Sequence, residues 1–232
     1  MYFSVDYCRP PAPNPTHLGC YRSELALQHD IQDSLVDWVV GRGSSERWFG
    51  FSNSVPANYT WDLTAPQNGP SFQMHGGGGM PALKSLHPNL NLQVDMTGCS
   101  NVANRTCPRW TMSVQAGDGA GGYQHTYDLG AVAFGAWENW VLQARFSPDP
   151  ARGYLAIWRN GQVTLPRTVI ATAYNDTVPP YLKFGVYRGD WKEQNGHSPT
   201  ARWSAISYGG MRVGDENSSF SEVSTAQRRQ GL

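Results

Sequence analysis

An all-β fold, an antiparallel two-sheet sandwich or jelly roll, is what this sequence predicts, and three observations predict it. The chain is poor in charge (16%) and rich in turn formers and rings, with 25 Gly, 16 Pro, 9 Trp, 11 Tyr and 8 Phe, a balance that suits an extracellular β protein. Apolar residues recur with period two along most of its length, as on half-buried strands. Turn signals separate these runs, led by Asn160-Gly161, a pair favoured in two-residue hairpin loops. With 232 residues the chain can bury a sizeable core without help from disulfides, and two-sheet folds of this size are commonly one unit. No repeat or long linker divides it. It reads as one domain over 1–232, with 1–15 as an extended, Pro-rich N-terminal arm and 221–232 as a flexible polar tail.

The strands follow in order. In 91–96 the apolar set is Leu92, Val94 and Met96; in 109–115 it is Trp110, Met112 and Val114. The segments 140–146 and 153–159 come next, the second running into Asn160-Gly161, and 201–208 is a late strand. Helical spacing is weak, with one candidate turn around 28–38.

The formal net charge is zero. A nucleic-acid or sulfated partner usually draws a basic excess, so an anionic ligand must meet a local cluster of cations instead. No apolar run approaches the ~20 residues that cross a bilayer, and no charged-then-apolar leader opens the sequence. The chain reads as a monomer without nucleic-acid or membrane partners. Four sequons, at Asn58, Asn104, Asn175 and Asn217, mark it as a secreted glycoprotein. Four cysteines fall in two close pairs, Cys8 with Cys20 and Cys99 with Cys107; each pair would staple a short loop, and the C-x₂-C spacing of a zinc site is missing.

Three segments put reactive groups on the outer face of a strand whose other face is apolar. In 181–187, Leu182, Phe184 and Val186 point to a core, while Tyr181, Lys183, Gly185 and Tyr187 point away. Gly185 there leaves room for a ligand to approach the backbone. In 72–75, Phe72 and Met74 go inward, and Gln73 and His75 share the outer face. The run of glycines at 76–79 that follows lies outside any strand–helix phosphate loop. In 21–25, Arg22 and Glu24 share a face, and Glu24 can hold Arg22 by a charge-assisted bond.

Together and in this order the three motifs resemble those of the uronate-cleaving jelly-roll lyases. The alginate lyases of that group carry Arg-Thr/Ser-Glu-Leu, Gln-Ile/Val-His and Tyr-Phe-Lys-x-Gly-x-Tyr strands, here Arg22-Ser-Glu-Leu25, Gln73-Met-His75 and Tyr181-Leu-Lys-Phe-Gly-Val-Tyr187. The stretches 135–140, 158–161 and 180–191 look closer to the fungal glucuronan lyases, polysaccharide lyase family 20. Two departures from the alginate pattern stand out: Ala26 after Leu25, and Arg188-Gly189-Asp190-Trp191 after the last tyrosine. The resemblance implies a two-sheet, concanavalin-like jelly roll whose polar strand faces line a concave groove. It also implies a structural calcium away from the groove, although no Asp-rich loop places its ligands.

β-Elimination beside a uronate carboxylate needs that carboxylate neutralised, a base for the carbon-5 proton and an acid for the leaving oxygen on carbon 4. Arg22 and Gln73 suit the first role; His75 and Tyr187 are the candidates for base and acid. In a D-glucuronate chain the proton and the leaving oxygen lie on one side of the ring, so one residue can shuttle the proton, and Tyr187 is the choice. On an L-uronate they lie on opposite sides, and His75 becomes the base with Tyr187 the acid. Lys183, Tyr181, Glu24, Arg188, Trp191 and Lys192 are candidate binding residues, with His125 a further histidine. No cofactor is needed for this chemistry. A glycoside hydrolase would require two carboxylates about 5–10 Å apart, and Glu24 and Glu138 are isolated in the sequence. A glycan-binding module without catalysis could use the same face.

Overall fold

The structure, a computed structural model, describes residues 1–6, 22–27, 46–64, 67–76, 87–117, 123–175, 180–188 and 200–225. The strands are β1 (Tyr2–Asp6), β2 (Arg22–Leu27), β3 (Glu46–Ser54), β4 (Gln67–His75), β5 (Leu90–Asp95), β6 (Arg109–Ala116), β7 (Tyr123–Ala131), β8 (Glu138–Arg145), β9 (Tyr154–Arg159), β10 (Gln162–Val169), β11 (Tyr181–Tyr187) and β12 (Trp203–Gly214), followed by a short helix α1 (Phe220–Val223). They form two six-stranded antiparallel sheets, in the orders β1-β12-β3-β8-β9-β10 and β2-β11-β4-β5-β6-β7.

The core lies between the sheets. Phe49, Phe51, Trp140, Leu142, Leu155 and Ile157 of the first sheet meet Phe72, Met74, Leu92, Trp110, Met112 and Phe184 of the second. Phe51 stacks on Phe72 with ring centroids 4.9 Å apart. One polar anchor crosses this core: buried Glu138 of β8 accepts the Trp110 indole N–H of β6 and pairs with Arg159 of β9. Such a buried carboxylate is tolerable only because its partners replace water.

Where one face meets the core and the other meets water, the period-two reading holds: β5 alternates buried and half-buried along its whole length. β3 does not alternate, because seven consecutive residues inside it are buried. Its outer face is covered by α1, whose Val223 packs with Trp48 and Val141; a Cβ at Gly50 would lie 1.9 Å from the Val223 carbonyl oxygen. The expected flexible tail is therefore corrected up to Thr225: Phe220–Val223 is helical, with Glu222 accepting from the Ser219 backbone N–H. The expected N-terminal arm is corrected as well, since Tyr2–Asp6 is an edge strand paired with β12. The β9–β10 hairpin turns at Asn160 (φ 52°) and Gly161 (φ 82°), both in the left-handed region as a type I′ turn requires. The Cys99–Cys107 disulfide forms as expected. Cys8, Cys20, the 28–38 turn and Gly77 to Gly79 lie outside the described residues.

Candidate active site

β2, β11 and β4 are neighbours in the second sheet, and their registers decide which polar side chains meet. Tyr187 stands opposite Arg22 and Gly185 opposite Glu24 on one side; Lys183 stands opposite Gln73 and Tyr181 opposite His75 on the other. Since opposed residues point to the same face, all eight share the face turned away from the core. Glu24 is the centre. Its side chain is only 2% exposed. Its Oε1 accepts from the Gln73 amide at 3.0 Å, and Oε2 lies 3.0 Å from Lys183 Nζ and 3.1 Å from Arg22 Nε. Neither cation is aligned on Oε2 as a hydrogen bond, so these are contacts between charges. Two cations against one carboxylate leave one net positive charge in this cluster.

Gly185 explains how Glu24 and Gln73 meet across β11. A Cβ there (φ 139°) would fall 2.2 Å from the Ser23 carbonyl oxygen and 2.7 Å from Glu24 Cα. The expectation that Gly185 opens space for a ligand is thus corrected: the backbone of β2 occupies that space, and the missing side chain lets partners from β2 and β4 reach over the strand.

His75 lies at the other end of the cluster. Its Nδ1 is 3.0 Å from the Gly76 carbonyl oxygen. A carbonyl only accepts, so Nδ1 carries the proton in this bond, and the neutral ring presents Nε2 as an acceptor. Burial first, and then the Lys183 charge, hold the imidazole below its ordinary pKa of 6.5. The Tyr181 ring stacks on it, centroids 5.3 Å apart and 28° between planes. Burial first, and then the Glu24 charge, raise the Tyr181 phenol above its ordinary 10.0. Tyr187 is elsewhere: its ring lies under the Arg22 guanidinium, 4.6 Å from the centroid. Six residues of extended strand separate it from Tyr181, about 20 Å at the usual rise. The register thus sets His75 opposite Tyr181 and Tyr187 opposite Arg22.

The polysaccharide lyase family matches residues 3–204. The chain belongs to the polysaccharide lyase family. Among solved structures it resembles an endo-β-1,4-glucuronan lyase from the fungus Trichoderma reesei, with a TM-score of 0.68 at 20% identity over 96% of this chain and 82% of that one. It also resembles the marine alginate lyase AlyA1 from Zobellia galactanivorans, with a TM-score of 0.55 at 14% identity over 92% and 76%. The family-7 alginate lyase A1-II′ gives a TM-score of 0.53 at 15% identity over 83% and 70%. These likenesses establish the jelly-roll fold. No curated protein matches the sequence.

Other expected site residues of the lyase fall differently. Arg188 is fully buried, with Nη2 4.0 Å from the equally buried Asp62, so it braces the core and is corrected as a sugar contact. His125 stands opposite Val114 on β7, beside Tyr127, and is exposed. Glu138 belongs to the other sheet, so it forms no hydrolase pair with Glu24. Trp191 and Lys192 lie outside the described residues. Sequence reasoning missed the continuation of the polar face: Gln73 stands opposite Asn91, Asn91 opposite Ser113, and Ser113 opposite Thr126. The alternation of β5 and β6 was its only signal. Among the described residues no three His, Cys, Asp or Glu side chains gather as a metal site, so no calcium ligands are assigned.

Proposed function

We propose that this lyase cleaves a 1,4-linked polyuronate by β-elimination, with β-1,4-glucuronan as its substrate, and releases unsaturated uronate ends. The observation that carries the reading is the cluster around Glu24, which sets Lys183, Arg22 and the Gln73 amide beside a neutral histidine with a free Nε2. Cations and amide donors fixed before the substrate arrives stabilise the charge that builds on the carboxylate as carbon 5 loses its proton. His75 is the base within reach of that site. The carboxylate is met by side chains alone, and no cofactor takes part. A hydrolase has no such use for two cations around a buried carboxylate, and a binding module has no use for a histidine kept neutral.

The choice of glucuronan rests on the likeness to the Trichoderma reesei endo-β-1,4-glucuronan lyase and on the departure from the alginate motif at 188–191. The four sequon asparagines are all exposed, and with the Cys99–Cys107 bridge they support secretion, since disulfides persist in oxidising compartments. Mass spectrometry of the digested polymer tests the reaction class. Elimination gives new non-reducing ends one water lighter than hydrolysis gives. Products of hydrolytic mass, or no products from any polyuronate, would overturn the reading.

A further inference from the structure

We infer that Tyr174 and Asn89 are positioning residues for His75: they hold the Gly76 peptide, and the Gly76 carbonyl keeps the imidazole in the form that leaves Nε2 free. The inference deepens the β-elimination reading and rests on it, since it concerns the base of that reaction. His75 ends β4, and its Nδ1 lies 3.0 Å from the carbonyl oxygen of the next residue. A carbonyl selects one tautomer of a neutral imidazole only while it stays in place. If it swings away, the proton is free to sit on Nε2, and a ring protonated there offers no base at that atom. Gly76 lies beyond the end of the strand and has no side chain of its own to anchor it.

Two buried side chains supply the anchor. Tyr174 is 6% exposed and Asn89 1%, and both lie against the Gly76 α-carbon. A Cβ there would fall 3.0 Å from Tyr174 Cδ2 and 3.3 Å from Asn89 Oδ1. Each side chain is pinned from behind. The Tyr174 hydroxyl shares its proton between the His87 carbonyl oxygen at 2.9 Å and Gln115 Oε1 at 3.1 Å. Its backbone runs parallel to Gly117, tied by bonds from the Gly117 N–H to Ala173 and from the Asn175 N–H to Gly117. Asn89 donates from Nδ2 to the Gln115 carbonyl at 3.3 Å, and its own carbonyl accepts from the Gln115 N–H at 2.8 Å. Both braces therefore end on β6 and the residue after it, two strands away from β4 in the same sheet. Burial pushes the Tyr174 phenol up to about 12, so the brace keeps its hydrogen bonds through neutral pH. The order of contacts runs from Gln115 and Gly117 to Asn89 and Tyr174, then to Gly76, and then to His75.

Nitrogen-15 NMR of the labelled imidazoles, above the titration of His75, reads the tautomer directly, with the resonance assigned by its loss in His75→Asn. Kinetics on β-1,4-glucuronan and melting curves accompany it. Tyr174→Leu takes the ring off Gly76. Gly76→Ala sets a methyl group against two pinned side chains, so the peptide must shift instead. Tyr154 is a similarly buried tyrosine of the other sheet, 3% exposed, and Tyr154→Leu shows what losing such a side chain does through stability alone. Wild type is expected to carry the His75 proton on Nδ1. Tyr174→Leu and Gly76→Ala are expected to show a mixture of tautomers. Their kcat should fall at least in proportion to the remaining Nδ1-protonated fraction, while KM stays close to wild type because Lys183, Arg22 and Gln73 are untouched. Tyr154→Leu is expected to melt earlier and to keep the wild-type tautomer and kcat. A folded Tyr174→Leu or Gly76→Ala with the wild-type tautomer overturns the inference, and either variant decides it if the other does not fold. An equal change of tautomer in Tyr154→Leu overturns it too. A tautomer that shifts as expected in an enzyme that yields no unsaturated product supports the brace and overturns the β-elimination reading alone.

Discussion

Glu24 holds the site together through one carboxylate that touches Arg22 on its own strand, Lys183 of β11 and the Gln73 amide of β4. Its desolvation is tolerable only while Lys183 and Arg22 stand beside it. Replacing one partner of such a buried pair leaves the other unpaired, which typically costs about 3–5 kcal/mol. Glu24→Gln should therefore lose stability of that order in urea titration, the figure shrinking toward its lower end because the Arg22 side chain is 37% exposed. An unchanged midpoint would mean that the cluster is not held by charge. His75 adds a pH dependence. Its folded pKa lies below 6.5 because burial disfavours the cation, so as pH falls below 6.5 the unfolded chain binds this proton before the folded one does. Stability is then lost as pH falls from 6.5 toward the folded value, and kcat/KM falls over the same interval as the base is protonated. His75→Asn should flatten the fall in melting temperature; the same slope in both proteins would show that another group titrates.

β11 is the element on which the site is built, and Gly185 is its weak point. An alanine there would need a φ of 139° and a Cβ 2.2 Å from the Ser23 carbonyl oxygen. Strain of this kind costs about 1–3 kcal/mol, and relief requires β2 to move and carry Glu24 with it. Gly185→Ala should lower both the melting temperature and kcat, whereas Phe184→Ala, on the core face, should lower stability by about 3–5 kcal/mol with less effect on the surviving folded enzyme's kcat. Equal kcat in Gly185→Ala and wild type would contradict the close approach. This strand was legible in the sequence because one face is apolar and the other polar, and the same count, carried one residue further, puts Arg188 with Val186 on the core side. β3 was not legible, because a strand buried on both faces loses its alternation. Nor was α1: the four residues Phe220–Val223 dock through buried Val223 and the Phe220 ring, a contact that only the folded sheet creates. Register was equally hidden. Period two tells which face Tyr181 and Tyr187 share, but not which of them meets His75.

At the scale of the molecule, two sheets with one shared core make a rigid floor, and the polar side of one sheet divides into two regions. The β2-β11-β4 side carries the charged cluster. The β5-β6-β7 side offers amides and hydroxyls, with the exposed Arg109 and Asp128 neutralising one another at 2.6 Å. A charge-neutral chain thus meets an anionic polymer through a local concentration of cations rather than through its overall field. The match of the polysaccharide lyase family over residues 3–204 spans strands of both sheets. The measurement that tests this account most directly is the initial rate of unsaturated-uronate absorbance on β-1,4-glucuronan and on polyguluronate, at equal uronate concentration. The account predicts rapid growth of the absorbance on glucuronan and a much slower rise on polyguluronate. Faster cleavage of polyguluronate would contradict it.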